Sequence, residues 1–450
     1  MISSALIQKY NVPAPRYTSY PTVPLWESNL NENSWIKLFK KAYNDYGNEE
    51  GISLYIHLPF CESLCTYCGC NKRITKNHTV EAPYIETLLQ EWLLYLDLLP
   101  EKPKLAGIHL GGGTPTFFSP ESLTKLISTI RSTAEVLPEA ECSFEGHPNN
   151  TTFAHLSALY EVGFRRVSYG IQDFDLKVQK AIHRIQPLEK VREATENARV
   201  IGYTSINFDL IYGLPYQTLS SITDTFEKVA ELRPDRIAFY SYAHVPSLFP
   251  AQRVFEAHLP QESEKRALYD KGRELLVQMG YVEIGMDHFS LPEEPLNLAK
   301  AEGKLHRNFM GYTTSPARML LGLGNSAISD IGYAYAQNEK DLDHYKATVQ
   351  EGNFALVKGH VQSEMDQRVK KLILSIICNE QAKWDLDFYL NLDPTTISRL
   401  QEMEQEGLIT FQSTGIEILP TGKAFIRNIC AVFDHRMQEK KKSFNFSKSI

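Results

Sequence analysis

The sequence predicts an α/β fold in which parallel strands alternate with helical crossovers, followed by a smaller, mainly helical region. Three observations predict it. From residue 53 to about 241, short β-branched or aromatic runs alternate with helix-period stretches six times, and strands joined in that way run parallel. The polar and glycine-rich signals fall after the strands, where barrels and open α/β sheets keep their chemistry. At 450 residues with 43% hydrophobic content, the chain exceeds one ordinary core and can fill a large domain and a smaller one. Six such units satisfy an open twisted sheet or a partial barrel equally well.

In chain order, the strands read at Leu54 to Leu58, Ala106 to Leu110, Cys142 to Glu145, Arg166 to Ile171, Ile206 to Ile211 and Arg236 to Tyr240. Ser119 and Pro120 supply a helix cap and first turn, while Gly163 and Gly202 stand where helices ending at Val162 and Ile201 need a left-handed residue. After the strands come, in turn, a cysteine-rich loop, Gly111 to Pro115, Glu145, Gln172 with Asp173, and Asp209 with Gly213 and Pro215. All would face one mouth. Beyond Tyr242 the rhythm changes. A helix over 262–279 ends at Gly280 and leads to a strand-like Tyr281 to Gly285, and 290–335 reads as loop-rich. From about 360 the pattern is helical, with a hairpin over Leu408 to Leu419 turning at Thr414 and Gly415 and a last helix through Cys430. Helices around a two-stranded wing suggest a small helical or winged-helix-like domain.

Composition narrows the function. A net charge of -7 argues against a nucleic-acid partner, because phosphate backbones attract basic surfaces. No run approaches the ~20 apolar residues of a membrane helix, so a soluble protein without a membrane partner is expected. Seven cysteines, four of them crowded into one loop and with no secretory signal ahead of them, point to a reducing cytoplasm rather than to disulfides. The basic run Lys440, Lys441 and Lys442 reads as a solvated, mobile end.

The chemistry centres on Cys61, Cys65, Cys68 and Cys70, spaced C-x-x-x-C-x-x-C-x-C directly after strand one. Three thiolates spaced so can each bind a different iron of a cubane cluster, leaving the fourth iron open to substrate or cofactor. A zinc site would need a second Cys or His pair, and none lies downstream at a suitable spacing. Gly111, Gly112 and Gly113, locked by Thr114 and Pro115, remove three side chains where backbone can approach a ligand, and suit a grip on the amine and carboxylate of an amino acid. They do not form a phosphate loop of the G-x-x-x-x-G-K type.

Glu145 and Asp209 are carboxylates costly to bury without a partner. Each can accept from a ribose or an ammonium group, or be a structural carboxylate paired with a buried arginine. Gln172 and Arg184 are complementary donors. The segment Pro15, Arg16, Tyr17, Thr18, Ser19, Tyr20, Pro21 is either a packed clamp or a lid whose cation and phenols face an anionic ligand. His306, Arg307 and Asn308, then Tyr312, Thr313 and Thr314, carry the same ambiguity, and together these sets could balance a multiply charged carboxylate substrate. Cys142, Cys378 and Cys430 read as small buried hydrophobes. Tyr55 could pack in the core or sit under an adenine.

The loop CESLCTYCGC resembles the cluster motif of radical S-adenosylmethionine enzymes. More narrowly, CESLCTYCGCNK, PRYTSYP, GGGTPT, GIQDFD, NFDLIYGLP, MDHF and HRNFMGYTT, in this order apart from the N-terminal PRYTSYP, resemble the oxygen-independent coproporphyrinogen III oxidases of bacterial haem synthesis, from about Leu6 to the RNIC at 427–430. The resemblance implies a three-quarter (β/α)6 barrel of the radical S-adenosylmethionine type, with an N-terminal lid and a small C-terminal domain. It implies a 4Fe-4S cluster on Cys61, Cys65 and Cys68 and two S-adenosylmethionine molecules. Tyr55, Tyr67, Gly112 and Glu145 would contact the first, and Gly113, Thr114, Gln172, Arg184, Asp209, Ala243 and Ile328 the second. Cys70 would assist the chemistry without ligating the cluster.

The implied reaction is the anaerobic oxidative decarboxylation of two propionates of coproporphyrinogen III to vinyl groups, served by an electron donor and an electron acceptor that the sequence does not identify. A monomer is expected, since no interaction helix stands out. The implied organisation is an N-terminal extension over 1–50, a barrel over 51–290, a loop-rich connection over 291–360 and a winged-helix-like domain over 361–450. One departure stands out: Glu145, Gly146, His147, Pro148 replaces the family's Glu, apolar, Asp, Pro, and His147 is expected to pack or make a local hydrogen bond. Two rivals share the architecture. A haem-binding chaperone of the family usually lacks the fourth cysteine and the PRYTSYP segment, and a radical haem-modifying methyltransferase would match fewer of the quoted segments.

Overall fold

The computed structural model describes residues 3–439, 446 and 448, so the basic run at 440–442 lies outside the described residues. The chain gathers into two compact units, one made of Ser28–Tyr281 and Ser315–Val361, the other of Met1–Glu27, Val282–Thr314 and Gln362–Ile450. These units cut across the four successive segments expected from sequence. Residues 1–27 part from 28–50, and 291–314 part from 315–360.

The larger unit is built on a mixed sheet. Its strands are β1 (Ile52–Leu58), β2 (Lys104–Gly112), β3 (Glu135–Gly146), β4 (Arg166–Gln172), β5 (Ser205–Tyr212), β6 (Arg236–Ser241), β7 (Met319–Leu323), β8 (Ile328–Asp330), β9 (Ala334–Asn338) and β10 (Leu356–Val361). They lie in the order β10-β9-β8-β7-β1-β2-β3-β4-β5-β6. From β1 to β6 every neighbour is parallel, as the six repeating units require. This is the α/β sheet of a partial barrel.

Local chemistry explains the elements. On β1, Ile52, Leu54 and Ile56 are fully buried on one face while Ser53 and Tyr55 point to the other, the period-two alternation of a strand. Ser119 accepts from the Ser122 N–H at 3.2 Å and Pro120 opens the helix Pro120–Ser132. Gly163 (φ +99°) and Gly202 (φ +110°) hold the left-handed conformations expected after their helices. Strand β3 starts well before the expected Cys142. Its first half, with Glu135, Glu139 and Glu141, carries too little apolar signal to be read, and a register shift opposite Leu105 and Gly107 separates it from the second half.

The expectation of a loop-rich stretch over 290–335 is corrected. Met319–Leu323 is buried throughout and pairs in parallel with β1, and β8 to β10 follow as antiparallel neighbours. Runs of three to five residues rich in glycine escape periodicity arguments. Glycine is required here by contact: a Cβ on Gly322 would stand 2.6 Å from the Ile328 carbonyl oxygen.

These added strands bury a carboxylate. Glu91, on the helix Glu81–Leu96, is fully buried and accepts from Gly324 N (2.8 Å), Asn338 Nδ2 (2.6 Å) and Tyr345 Oη (2.6 Å). Burial pushes its carboxyl from 4.5 up to about 7, against the pull of those donors. Between these two values the folded state holds a proton that the unfolded chain has lost, so stability falls as pH rises from about 4.5 through 7, by on the order of 3 kcal/mol. Urea midpoints measured across that window should therefore fall more steeply for the wild type than for Glu91→Gln, which cannot titrate.

The smaller unit holds the helices Glu364–Asn379, Pro394–Gln405 and Ile426–Val432 beside a three-stranded antiparallel sheet of Gln381–Lys383, Gly415–Ile418 and Ile409–Gln412. The expected hairpin is present, and Gln381–Lys383 adds a third strand to it. Ile373, Ile376, Leu400, Phe425, Ile429 and Cys430 form its core. Tyr17 and Tyr20 are buried in the same unit, donating to Asp434 Oδ2 (3.1 Å) and meeting His435 Nδ1 (3.0 Å). Arg16 pairs with Asp287, and buried Arg307 donates to the Arg16 and Tyr17 carbonyls at 3.0 Å. Among the described residues no helix is long and apolar enough to cross a membrane.

Candidate functional site

The C-terminal end of β1 feeds a loop that is pinned at both ends. Phe60 and Cys61 pair in parallel with Arg73 and Ile74, and Arg73 N donates to Pro59 O (2.8 Å) and Thr75 N to Cys61 O (2.9 Å). The middle is held from elsewhere: Thr66 N donates to Ile182 O at 3.1 Å, and His183 Nδ1 lies 2.8 Å from Leu64 O. The glycine run meets this loop backbone to backbone. Gly113 N donates to Leu58 O (2.8 Å) and Thr114 N to Phe60 O (2.9 Å), and a Cβ on Gly113 would stand 2.6 Å from Pro59. The glycines thus bring β2 against the cysteine loop.

A cavity of about 550 Å³ opens there. Cys61, Cys65, Tyr67, Cys68, Cys70, Gly112, Gly113, Thr114, Glu145, Gln172, Arg184 and Asp209 all line it, drawn from the ends of the first five strands and the segments after them. Three expected residues do not. Tyr55 lies behind the glycines, where a Cβ on Gly111 would stand 3.0 Å from its ring and 3.2 Å from Glu145 Oε1. Ala243 is met through its carbonyl by Gln252 Nε2 (3.3 Å), which also reaches Tyr67 O (3.1 Å). Ile328 begins β8 opposite Gln337.

Charge is arranged unevenly around the cavity. Arg184 donates to Gly170 O through Nε (3.2 Å) and Nη2 (2.7 Å), and Nη1 lies 3.5 Å from Cys65 Sγ. Lys72 Nζ reaches the Cys68 and Cys70 carbonyls at 3.2 and 3.3 Å. Asp209 accepts from Ser168 Oγ (3.1 Å) and Asn207 Nδ2 (2.9 Å). Burial, then the nearby Glu145 carboxylate, raises it to about 6. Glu145 Oε2 accepts from Gly112 N (3.2 Å), and Oε1 lies 3.6 Å from His109 Nε2. Burial pushes the Cys61 thiol up to about 11, even with Thr114 Oγ1 at 3.3 Å. A hydrogen bond from Cys70 draws the Cys68 thiol down to about 6, and that bond together with burial holds Cys70 well above 9. Cys70 is exposed and lines the cavity.

Sequence reasoning missed Lys72, His109 and Asn149. Lys72 beside the cysteine motif and Asn149 after Pro148 look like ordinary loop residues, and His109 is recognisable only once β1, β2 and β3 lie in register, with its ring stacked 6.0 Å from that of Tyr55. His147 lines the cavity. Burial and the Arg184 charge hold its imidazole neutral, down at about 2, and Nδ1 accepts from Asn149 N at 3.2 Å, the local hydrogen bond expected of it. Gln172 sits at φ +67°, where the backbone turns as β4 ends at the cavity.

Residues 55–229 match the Radical SAM superfamily. The chain is 39% identical to the oxygen-independent coproporphyrinogen III oxidase of Escherichia coli K12, over 99% of its own length and 98% of the other's. It is 38% identical to the protein of that name from Pseudomonas aeruginosa, over 95% of both. The chain belongs to the oxygen-independent coproporphyrinogen III oxidases. The solved structure of the Escherichia coli coproporphyrinogen III oxidase, a radical SAM enzyme, superimposes with a TM-score of 0.89 over 97% of this chain and 99% of that one, at 37% identity.

Membership in this oxidase family implies a 4Fe-4S cluster and S-adenosylmethionine, and the residues fit both. Cys61, Cys65 and Cys68 present three thiols to one cavity, flanked by Lys72 and Arg184, whose charges suit an anionic cluster. Beside them the Cβ-free backbone of Gly112 and Gly113 leaves room for an amino-acid moiety, and the carboxylates of Glu145 and Asp209 offer acceptors to an ammonium group and a ribose.

Proposed function

We propose that the chain carries out the anaerobic oxidative decarboxylation of two propionate side chains of coproporphyrinogen III, giving the vinyl groups of protoporphyrinogen IX in porphyrin biosynthesis. Identity near 39% across 99% of the chain to an oxidase of this name carries the reading, and the cysteine-lined cavity supports it. Bound there, a cluster reduced by one electron from the donor would cleave S-adenosylmethionine to methionine and a 5′-deoxyadenosyl radical able to take a hydrogen from a propionate β-carbon; loss of carbon dioxide and of one electron to the acceptor would then leave the vinyl group.

The protein binds, orients and excludes. Cys61, Cys65 and Cys68 hold the cluster. Tyr67, Gly112 and Glu145 line the cavity beside them and hold one S-adenosylmethionine, with Tyr55 behind the glycines. Gly113, Thr114, Gln172, Arg184 and Asp209, which line the same cavity, hold a second, to which the resemblance adds Ala243 and Ile328. Cys70 exchanges a proton at its sulfur. Pro15 to Pro21 is the lid segment, with Thr18 exposed, while the phenols of Tyr17 and Tyr20 are engaged by Asp434 and His435 and the Arg16 cation by Asp287. The three-stranded sheet and helices of 361–450 form a winged-helix-like domain, and the enzyme works as a cytoplasmic monomer with a separate electron donor and acceptor.

The test is reconstitution with iron and sulfide without oxygen, then addition of coproporphyrinogen III, S-adenosylmethionine and a reductant. Vinyl porphyrin and 5′-deoxyadenosine should appear together. Tight haem binding with no decarboxylated product would instead support the chaperone reading.

A further inference from the structure

We propose that Asn325 is a positioning residue for Cys70, acting through the side chain and carbonyl of Asn71; the inference rests on the oxidase reading above. Asn325 stands in the turn between β7 and β8, outside the six βα units, and is 1% exposed. Gly324 (φ +99°) and Ser326 (φ +63°) are left-handed on either side of it. A serine held in that conformation is strained. The turn also presses on the end of β1: a Cβ on Gly324 would stand 2.7 Å from the His57 carbonyl oxygen and from Tyr84 Oη.

The strained turn aims one amide at the exit of the cysteine loop. Asn325 Nδ2 donates to Asn71 Oδ1 and to Lys340 O, each at 3.2 Å, and Asn71 Nδ2 donates to the same Lys340 carbonyl at 3.2 Å. Asn325 Oδ1 meets Tyr84 Oη at 3.0 Å, and that hydroxyl lies 2.7 Å from His57 O. His57 closes the chain. Its Nε2 lies 3.0 Å from Asn71 O and its Nδ1 3.0 Å from Tyr55 Oη, so a proton on Nε2 donates to Asn71 while Nδ1 accepts from the phenol. Asn71 is thereby held by its carbonyl and by both ends of its amide.

Cys70 precedes it. The Cys70 N–H points at Cys68 Sγ (3.5 Å), its carbonyl at Lys72 Nζ (3.3 Å) and its thiol at that of Cys68, contacts on the near side of the loop, while the backbone that follows is set by the placement of Asn71. Cys61, Cys65 and Cys68 precede this point, and Cys61 and Leu64 have their own anchors in Thr75 and His183. Loosening Asn71 should therefore move Cys70 and spare the three cluster thiols.

The experiment compares wild type, Asn325→Ala and the isosteric Asn325→Asp, which loses the donated N–H, each reconstituted as the full chain. Iron and sulfide content should match wild type. Vinyl formation should fall by about tenfold, as for a small displacement of a reacting group, and the ratio of 5′-deoxyadenosine to vinyl groups should rise severalfold. With the cluster in place and its ligands protected, the rate of Cys70 alkylation by iodoacetamide, read by mass spectrometry, should change at least threefold, on the order expected for one lost hydrogen bond. Asn71→Ala removes the other partner, and should reproduce both effects if Asn325 variants fail to fold. An unchanged ratio with unchanged alkylation, or activity lost only in step with iron, overturns the proposal. Absence of vinyl product from the wild type would overturn the oxidase reading instead, while the alkylation rates would still decide the role of Asn325.

Discussion

Cys65→Ser is expected to abolish the cluster, and Cys70→Ser to keep it while turnover falls ~10²-fold or more, the range for loss of a proton-transfer group. The asymmetry follows from position. Cys65 lies in the part of the loop tied to Ile182 and His183, and its sulfur faces the Arg184 guanidinium. A serine hydroxyl is too weakly acidic to replace that thiolate on iron. Cys70 lies past the three thiols that would hold the cluster, and its thiol is hydrogen-bonded to that of Cys68. With Cys68 taken up by iron, Cys70 would remain at the cavity wall as the thiol beside it. Iron and sulfide analysis with visible absorption checks the first outcome, and product assays at matched cluster content check the second. Normal turnover in Cys70→Ser would remove its proposed role.

Arg184→Met should lower kcat/KM by roughly 10²-fold or more, the scale for removing one charged group from a buried site. The guanidinium is half-buried, holds the Gly170 carbonyl and faces Cys65. It also pulls down the Asp209 carboxyl, which burial and Glu145 push up to about 6. Without Arg184, Asp209 rises further and is partly protonated at neutral pH, so it accepts less well from a ribose or ammonium group. The sign is set by that shift: activity of the variant should recover partly as pH rises above 7, where wild type is already flat. His147, held neutral by burial and by this same cation, should titrate nearer its ordinary value in the variant. Measuring kcat/KM against pH for both proteins tests the pair of expectations, and parallel profiles would contradict them.

Much of the site was legible because its signals are local. The four cysteines, the glycine run, and Glu145 and Asp209 are each visible within a few residues, and the strand-then-polar rhythm places them at one end of the sheet. The cavity does gather them. What escaped is what depends on partners distant in sequence. Lys72 matters because it reaches back to the Cys68 and Cys70 carbonyls, His109 because β2 and β3 bring it beside Glu145, and Asn325 because a turn 254 residues away meets Asn71. The N-terminal aromatics show the converse. Tyr17 and Tyr20 read equally as part of a packed clamp or as facing a ligand, and burial and the partners Asp434 and His435 commit them to the smaller unit.

By itself, the sequence determined the six parallel βα units and the cysteine loop after the first of them, because helix period, strand alternation and cysteine spacing are short-range properties, and its motifs carried the resemblance to the oxidase family. Tertiary structure alone decided that β7 to β10 extend the sheet beyond β1, that Glu91 is buried at their centre, and that Asn71 is clasped from the far side of the chain. Those outcomes depend on desolvation and on hydrogen bonds between residues hundreds of positions apart. Such terms exist only after the chain has closed on itself.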